Sequence, residues 1–319
     1  MAVQHTRTPP HDTRPREPRI PAGEPGHEGP DREAVRLSIG KLLDHDRRHG
    51  PEQVADAALA LWRNHAHTTG RVRTPHLATE AEIAQVAGWL LFHADRQGEA
   101  HRALLKAAHL ARLAGEPGFR SFVLDLLSMH AVETGDVGEA VALADAVLSS
   151  SRASPRLHVM AHVRKARAYA IIGERARALR EIDQAKVNVL DSVAETDPDW
   201  SRWIDLRQVA THETEILARV GHGEAALERL VGTSEAAGTP LQRLTSLVAI
   251  CGTAARLTAW REVGSTTQEI AVLLPQTPFA LPLARFRRMA GRVDRSNAPV
   301  ALKRLVRHVA DGPTALVRA

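Results

Sequence analysis

The sequence predicts an all-α protein made of stacked helical hairpins. Apolar residues make up 44% of the chain and are mostly alanine and leucine, whereas aromatic residues make up only 3%. Together with the many arginines and glutamates, this composition favours helices that pack closely through small side chains. A short turn signal also recurs along the chain, and no run alternates the β-branched and aromatic residues typical of strands.

The first 30 residues are predicted to be a disordered tail. They contain seven prolines, which interrupt helices and remove backbone hydrogen-bond donors. Too few apolar residues remain among them to form a core. We therefore expect a Pro-rich tail at 1–30 and a helical repeat domain at 31–319.

The recurring turn signal consists of Gly or Asp, four further residues, and then Ala. It occurs at Gly50 to Ala55, Asp95 to Ala100, Gly135 to Ala140, Gly173 to Ala178 and Gly221 to Ala226. Glycine at the end of a helix adopts the left-handed conformation that stops it. Alanine one turn into the next helix lets the two backbones approach closely. Since one hairpin cannot bury its apolar face alone, neighbouring hairpins are expected to stack.

The hairpins are predicted at about 32–64, 80–114, 118–150, 156–192, 201–236 and 241–273. Loops rich in proline or threonine are expected at 65–79, 193–200 and 274–282. A basic helix at about 281–310, with a break at Pro299 left open, is predicted to cap the array.

The small residues and turns of these hairpins resemble the tetratricopeptide repeat (TPR). The matching positions are Gly88, Asp95, Ala100 and Ala107 in one hairpin, and Ala166, Tyr169, Gly173, Ala178 and Ala185 in another. The resemblance implies a right-handed superhelix of about six hairpins, whose concave groove binds a protein or peptide. The hairpins are longer than the 34 residues of the family repeat, and its terminal proline is absent.

Residues 84–95, Ala-Gln-Val-Ala-Gly-Trp-Leu-Leu-Phe-His-Ala-Asp, also resemble the degenerate TPR arrays of actinobacterial XRE-type helix-turn-helix regulators. The resemblance continues through 100–115, 135–148 and 166–185 to Asp197-Pro198-Asp199-Trp200. It implies a role in transcriptional or signalling control. In those regulators a DNA-binding domain precedes the array, whereas here only the Pro-rich segment does. We therefore expect a stand-alone relative or a chain that has lost its DNA-binding domain.

The first helix of each hairpin is expected to line the groove. The residues predicted to face it are Gln85, Trp89, Phe92, His93, Asp125, Met129, Glu133, Arg167, Glu215 and Arg219. A mixture of aromatic, methionine and charged side chains suits a peptide or an amphipathic helix as the ligand. The alternative is that Trp89 and Phe92 pack between neighbouring hairpins.

The basic character of the protein is concentrated at its C-terminal end. The formal charge is +5 for the chain, +7 for residues 281–319 and therefore −2 for the remainder. A basic patch is predicted, with Arg285, Arg288 and Arg292 on one helix face and Lys303, Arg304 and Arg307 in a second group. Three interpretations stay open for it: a solvated capping face, a contact for an acidic protein, and a contact for nucleic-acid phosphates.

The sequence predicts no catalytic residue, metal site or cofactor. His212-Glu213 lacks the second histidine of a metalloprotease helix, and no phosphate-binding loop or nucleophile elbow is present. His65 and His67 have the spacing of a metal-binding pair, but we expect them to be solvated surface residues. The single cysteine, Cys251, lies in an apolar stretch and is expected to be buried.

A regulatory binding protein is therefore the favoured interpretation, with a protein or peptide ligand in the concave groove and no enzymatic activity. The alternative is a transcription regulator that contacts DNA through its basic C-terminal helix or through a helix-turn-helix partner protein. Direct contact with nucleic acid and a homodimer are left open. No signal peptide and no apolar run of about 18 residues is found, which predicts a cytoplasmic protein without membrane contact.

Overall fold

The computed structural model describes residues 30–68, 74–193, 204–235, 240–276 and 279–312, and these residues are helical with no strand. The all-α fold class is therefore confirmed. The α-helices of the described residues are α1 (Pro30–His49), α2 (Ala55–Thr68), α3 (Thr74–His93), α4 (Gln97–Leu113), α5 (Pro117–Thr134), α6 (Val137–Leu148), α7 (Pro155–Ile171), α8 (Arg175–Asn188), α9 (Leu206–Arg219), α10 (Gly223–Glu235), α11 (Pro240–Arg256), α12 (Trp260–Leu273), α13 (Ala280–Asp294) and α14 (Val300–Asp311).

The predicted turn signal is confirmed at all five positions. Each Gly or Asp has a positive φ, and the alanine five residues later is fully or almost fully buried. At the end of α5, for example, Gly135 has a φ of 87° and donates its N–H to the carbonyl oxygen of Ala131. The left-handed residue thus stops one helix, and the small side chain of Ala140 lets the next helix pack closely against it.

A sixth turn of the same geometry was not predicted. Between α11 and α12, Thr258 has a φ of 55°, and Val263, five residues later, is fully buried. The sequence signal is absent here because neither glycine nor alanine stands at these positions. The backbone nevertheless repeats the turn of the earlier hairpins.

The helices form two layers. From α1 to α12 each helix packs against the next in sequence, α13 packs against α14, and from α3 to α13 each odd-numbered helix also contacts the next odd-numbered one. The odd-numbered helices therefore make a continuous inner layer, and the even-numbered helices pack onto it. Between the layers lies a core of Ala, Leu, Val and Ile side chains, with Leu104, Leu126 and Ala166 among the fully buried ones.

The two ends of this array meet. Helix α13 contacts α3, and Leu281 belongs to the same buried apolar cluster as residues of α1, α2 and α3. The carboxylate of Glu52, in the turn before α2, accepts a hydrogen bond from the backbone N–H of Ala280 at the start of α13. Since free N–H groups at a helix start need acceptors, Glu52 caps a helix 228 residues away in sequence.

The predicted basic helix at about 281–310 is divided at Pro299, where a break was left open. Residues 295–299 separate α13 from α14, and these two helices pack against each other as a further pair. Pro299 has no backbone N–H and stands immediately before α14, which explains the break. The predicted loops also shorten, because α2 extends to Thr68 and α3 begins at Thr74. Of the predicted tail at 1–30, residues 1–29 lie outside the described residues, and Pro30 begins α1. Asp197–Trp200 lie outside the described residues as well.

Candidate functional site

A cavity lies where the C-terminal parts of α5, α7, α9, α11 and α13 converge. Its volume is about 270 Å³. Apolar side chains such as Val132, Ile216, Val248 and Met289 form part of its wall. Because α13 and α5 are far apart in sequence, the cavity depends on the tertiary contacts that bring these helices together.

Arginine dominates the charged part of the wall. Among the described lining residues are Arg167, Arg219, Arg256, Arg285, Arg288 and Arg292, with Glu133 and Glu215 as the acidic residues. The lining therefore has a formal charge of +4. We call this feature the arginine cavity.

Glu133 on α5 holds two of the arginines of α13. Arg285 donates from Nη2 to Oε2 of Glu133 at 2.7 Å and from Nε to both carboxylate oxygens, and Arg288 bonds to Oε1. Burial would raise the pKa of Glu133, but the charge and hydrogen bonds of Arg285, with the charges of Arg167 and Arg288, lower it below its usual value. The carboxylate is therefore ionised at neutral pH, and the ion pairs join α5 to α13.

Glu215 on α9 partly neutralises Arg167 on α7. The guanidinium Nη2 of Arg167 lies 3.3 Å from Oε2 of Glu215. Burial lowers the pKa of Arg167, Glu215 opposes this, and the nearby charges of Arg285 and Arg164 lower it further. Glu133 and Glu215 thus form ion pairs with three of the six cavity arginines, which are Arg167, Arg285 and Arg288.

Arg219, Arg256 and Arg292 form no ion pair with an acidic residue among the described parts of the chain. Each lies in the last turn of its helix. Arg256 is held in place by Thr253, whose hydroxyl accepts a hydrogen bond from Nη2 at 3.1 Å and donates to a backbone carbonyl. We call these three residues the unpaired arginines.

The unpaired arginines repel one another. Burial lowers the pKa of Arg256 to about 10, and the charges of Arg219 and Arg292 contribute in the same direction, while the charge of Glu215 opposes them. Burial also lowers the pKa of Arg292, with further lowering by the charges of Arg219 and Arg288 and by Arg295. The wall around them therefore carries positive charge that no ion pair within the described residues neutralises. Such a wall attracts anions.

The predicted groove residues separate into two groups. Glu133, Arg167, Glu215 and Arg219 line the arginine cavity. Toward the other end of the inner layer, Gln85, Phe92 and Asp125 are buried, and Trp89 and Met129 are partly buried against the apolar core. Phe92 therefore packs as the alternative interpretation supposes. His93 stacks edge-on against the rings of Trp89 and Phe92.

Asp125 has a structural contact that the sequence did not suggest. Its two carboxylate oxygens accept hydrogen bonds from Nε and Nη2 of Arg164 on α7, at 3.1 and 3.0 Å, and both side chains are buried. This bidentate pair joins α5 to α7.

The predicted basic patch is also divided. Arg285, Arg288 and Arg292 on α13 face the arginine cavity. On α14, which packs against α12 and α13, Lys303 donates to the carbonyl oxygen of Ser296, Arg307 pairs with Asp294, and Arg304 is exposed. The six residues therefore do not form one surface.

Arg256 was not predicted as a site residue, although the sequence contains a signal for it. Glu133, Ile171 and Arg219 each stand two residues before a left-handed turn residue, and all line the cavity. Arg256 stands two residues before Thr258. The position was overlooked because Thr258 does not look like a turn residue in the sequence.

The other residues considered for metal binding or reactivity are the histidines and the single cysteine. Within the described residues, no group of three or more His, Cys, Asp or Glu is placed to hold a metal ion. Cys251 is fully buried, as predicted, and burial raises the pKa of its thiol to about 11. His67 lies in a segment whose side chains the structure does not describe. In the same described ranges, no helix is both long and apolar enough to cross a membrane.

The chain matches no protein-family model and no curated protein.

Proposed function

We propose that this chain is a regulatory binding module of TPR-like helical hairpins, arranged as a right-handed superhelix, and that it binds a protein or peptide partner through the arginine cavity. The single observation that carries the proposal is the convergence of five inner helices on one charged cavity. Such a cavity with a few polar groups in an apolar wall is a typical ligand site. The resemblance to regulator arrays supports a role in transcriptional or signalling control.

The alternative role, DNA contact through the basic C-terminal helix, has weaker support. Arg285 and Arg288 are paired with Glu133, and Arg307 is paired with Asp294. Charges that are already neutralised within the protein release fewer counterions on binding to DNA. A helix-turn-helix partner protein remains compatible with the binding proposal.

Affinity capture with matched variants tests the proposed function. The cavity variant, Arg256→Gln with Arg292→Gln, removes two charges from the cavity, and the control Arg304→Gln removes one exposed charge from α14. The tagged proteins would be incubated with an extract of the source cells, and bound proteins identified by mass spectrometry. We expect one partner to be recovered with the wild type and the control and lost with the cavity variant. Equal recovery with all three proteins would contradict the proposal.

A further inference from the structure

The unpaired arginines place three positive charges at one side of the arginine cavity. Arg219, Arg256 and Arg292 lie at the ends of α9, α11 and α13, and Glu133 and Glu215 are already engaged by other arginines. All three side chains are exposed to the cavity, and like charges gathered in one wall repel one another. Their arrangement therefore calls for an explanation other than stability.

The helix dipole explains each arginine alone but not the group. A cation in the last turn of a helix interacts favourably with the unpaired carbonyl groups there, by about 0.3–1 kcal/mol. That effect is available to an arginine pointing into solvent on any side of the helix end. Here three such ends converge on one cavity, where burial and then the charges of neighbouring arginines lower the pKa of Arg256 and Arg292.

We propose that Arg219, Arg256 and Arg292 bind a phosphoryl group that carries two or more negative charges. The proposal rests on the proposed function, in that the arginine cavity is the binding site, and it names the chemistry of the ligand. A carboxylate supplies only one negative charge, so most of the excess positive charge of the cavity would not be neutralised. A phosphate monoester carries about −1.5 to −2 at neutral pH with three acceptor oxygens, and planar guanidinium groups bind such oxygens in pairs.

The rest of the cavity wall suits the body to which the phosphoryl group is attached. Val248 and Met289 are apolar and lie on the same two helices as Arg256 and Arg292. Thr253 fixes Arg256 through a hydrogen bond, so that less side-chain freedom is lost when an anion binds. A compact ligand with a charged head and an apolar body therefore matches the lining.

Isothermal titration calorimetry with pyrophosphate tests the proposal on the purified full chain. At constant ionic strength we expect saturable binding with one site per chain, weakened about tenfold or more in the cavity variant, since a hydrogen bond to a charged group contributes that much. The control Arg304→Gln should change the affinity less than about twofold, as expected of a distant surface charge. Absence of saturable binding at 10 mM pyrophosphate, or equal loss in the control, would overturn the proposal.

Citrate serves as a carboxylate probe of similar total charge. Pyrophosphate is expected to bind more tightly than citrate, because its charge is concentrated on two adjacent phosphoryl groups. Equal affinity for citrate would contradict the phosphoryl preference. A nucleoside diphosphate and a phosphoserine tetrapeptide then distinguish the two sources of the group, a small molecule and a phosphorylated partner, and preferential binding of either supports the proposal.

Failure of this inference is distinguishable from failure of the proposed function. If partner capture depends on the cavity but pyrophosphate does not bind, the phosphoryl proposal is wrong and the binding module stands. If pyrophosphate binds and partner capture is insensitive to the cavity variant, the partner proposal is wrong. The thermal unfolding midpoint of the cavity variant without ligand confirms in both cases that it is folded.

Discussion

Arginine plays opposite roles in two regions of the inner layer. Between α5 and α7, Arg164 is fully buried and donates two hydrogen bonds to the buried carboxylate of Asp125. Around the arginine cavity, Arg256 and Arg292 are exposed to the cavity and have no described carboxylate partner. A buried guanidinium needs its counterion, because the folded state otherwise contains an uncompensated charge. A guanidinium at an open cavity can instead be compensated by a ligand.

The difference teaches that the two kinds of arginine should respond to substitution in opposite ways. Substitution of Arg164 should lower the stability of the fold and leave the ligand affinity unchanged. Substitution of the unpaired arginines should lower the ligand affinity and change the free energy of unfolding only slightly.

The largest effect is expected for Arg164→Met. The substitution leaves the carboxylate of Asp125 buried without its partner, which should lower the free energy of unfolding by about 3–5 kcal/mol. Urea denaturation followed by circular dichroism measures it. Combining the change with Asp125→Leu should recover part of the loss, because the two side chains act as one unit. A loss below about 1 kcal/mol would mean that the pair is not structural.

A smaller effect is expected for Glu133→Gln. This change removes the charge that holds Arg285 and Arg288 and joins α5 to α13, and should lower the free energy of unfolding by about 2 kcal/mol. Glu228→Gln on α10, an exposed glutamate, is the matched control and should be neutral. Equal stability of both variants in urea would show that the contact between α5 and α13 does not depend on this ion pair.

The burial of His93 should be visible in the pH dependence of stability. Burial and then the charge of Arg285 lower the pKa of His93 to about 4, with Glu133 opposing. Between this value and the ordinary pKa of about 6.5, the unfolded chain binds the proton and the folded chain does not. Stability should therefore be lost as the pH falls from 6.5 toward 4.

The thermal unfolding midpoint at pH 7 and pH 5 measures this dependence. His93→Gln should make it shallower, while His109→Gln, at an exposed position on α4, should leave it unchanged. His130 and His212 have lowered pKa values as well, so some dependence should remain. An unaltered slope in His93→Gln would contradict the assignment.

The smallest effect is expected for the cavity variant without ligand. Removing two mutually repelling charges should change the free energy of unfolding by no more than about 0.5 kcal/mol, with any gain largest at low ionic strength, where repulsion is least screened. Urea denaturation at low and high salt measures it. A loss above 1 kcal/mol would assign Arg256 and Arg292 a structural role and remove the contrast with Arg164.

Much of the charged wall of the cavity was recognisable in the sequence, but as two unrelated groups. Glu133, Arg167, Glu215 and Arg219 were predicted to face a groove, whereas Arg285 and Arg292 were assigned to a basic cap. Helical periodicity places residues on a face of their own helix. It carries no information on which distant helix that face meets, so the contact between Glu133 and Arg285, 152 residues apart, could not be predicted.

The sequence by itself determined the helices, their turns and the buried alanines, because these depend on local interactions. The φ of Gly135 and the burial of Ala140 follow from residues within one hairpin. Only the tertiary structure decided that α13 contacts α3, that Arg285 on α13 pairs with Glu133 on α5, and that Arg219, Arg256 and Arg292 face one cavity. The physical reason is that contacts between distant helices result from the stacking of many hairpins, which no single segment of the sequence encodes.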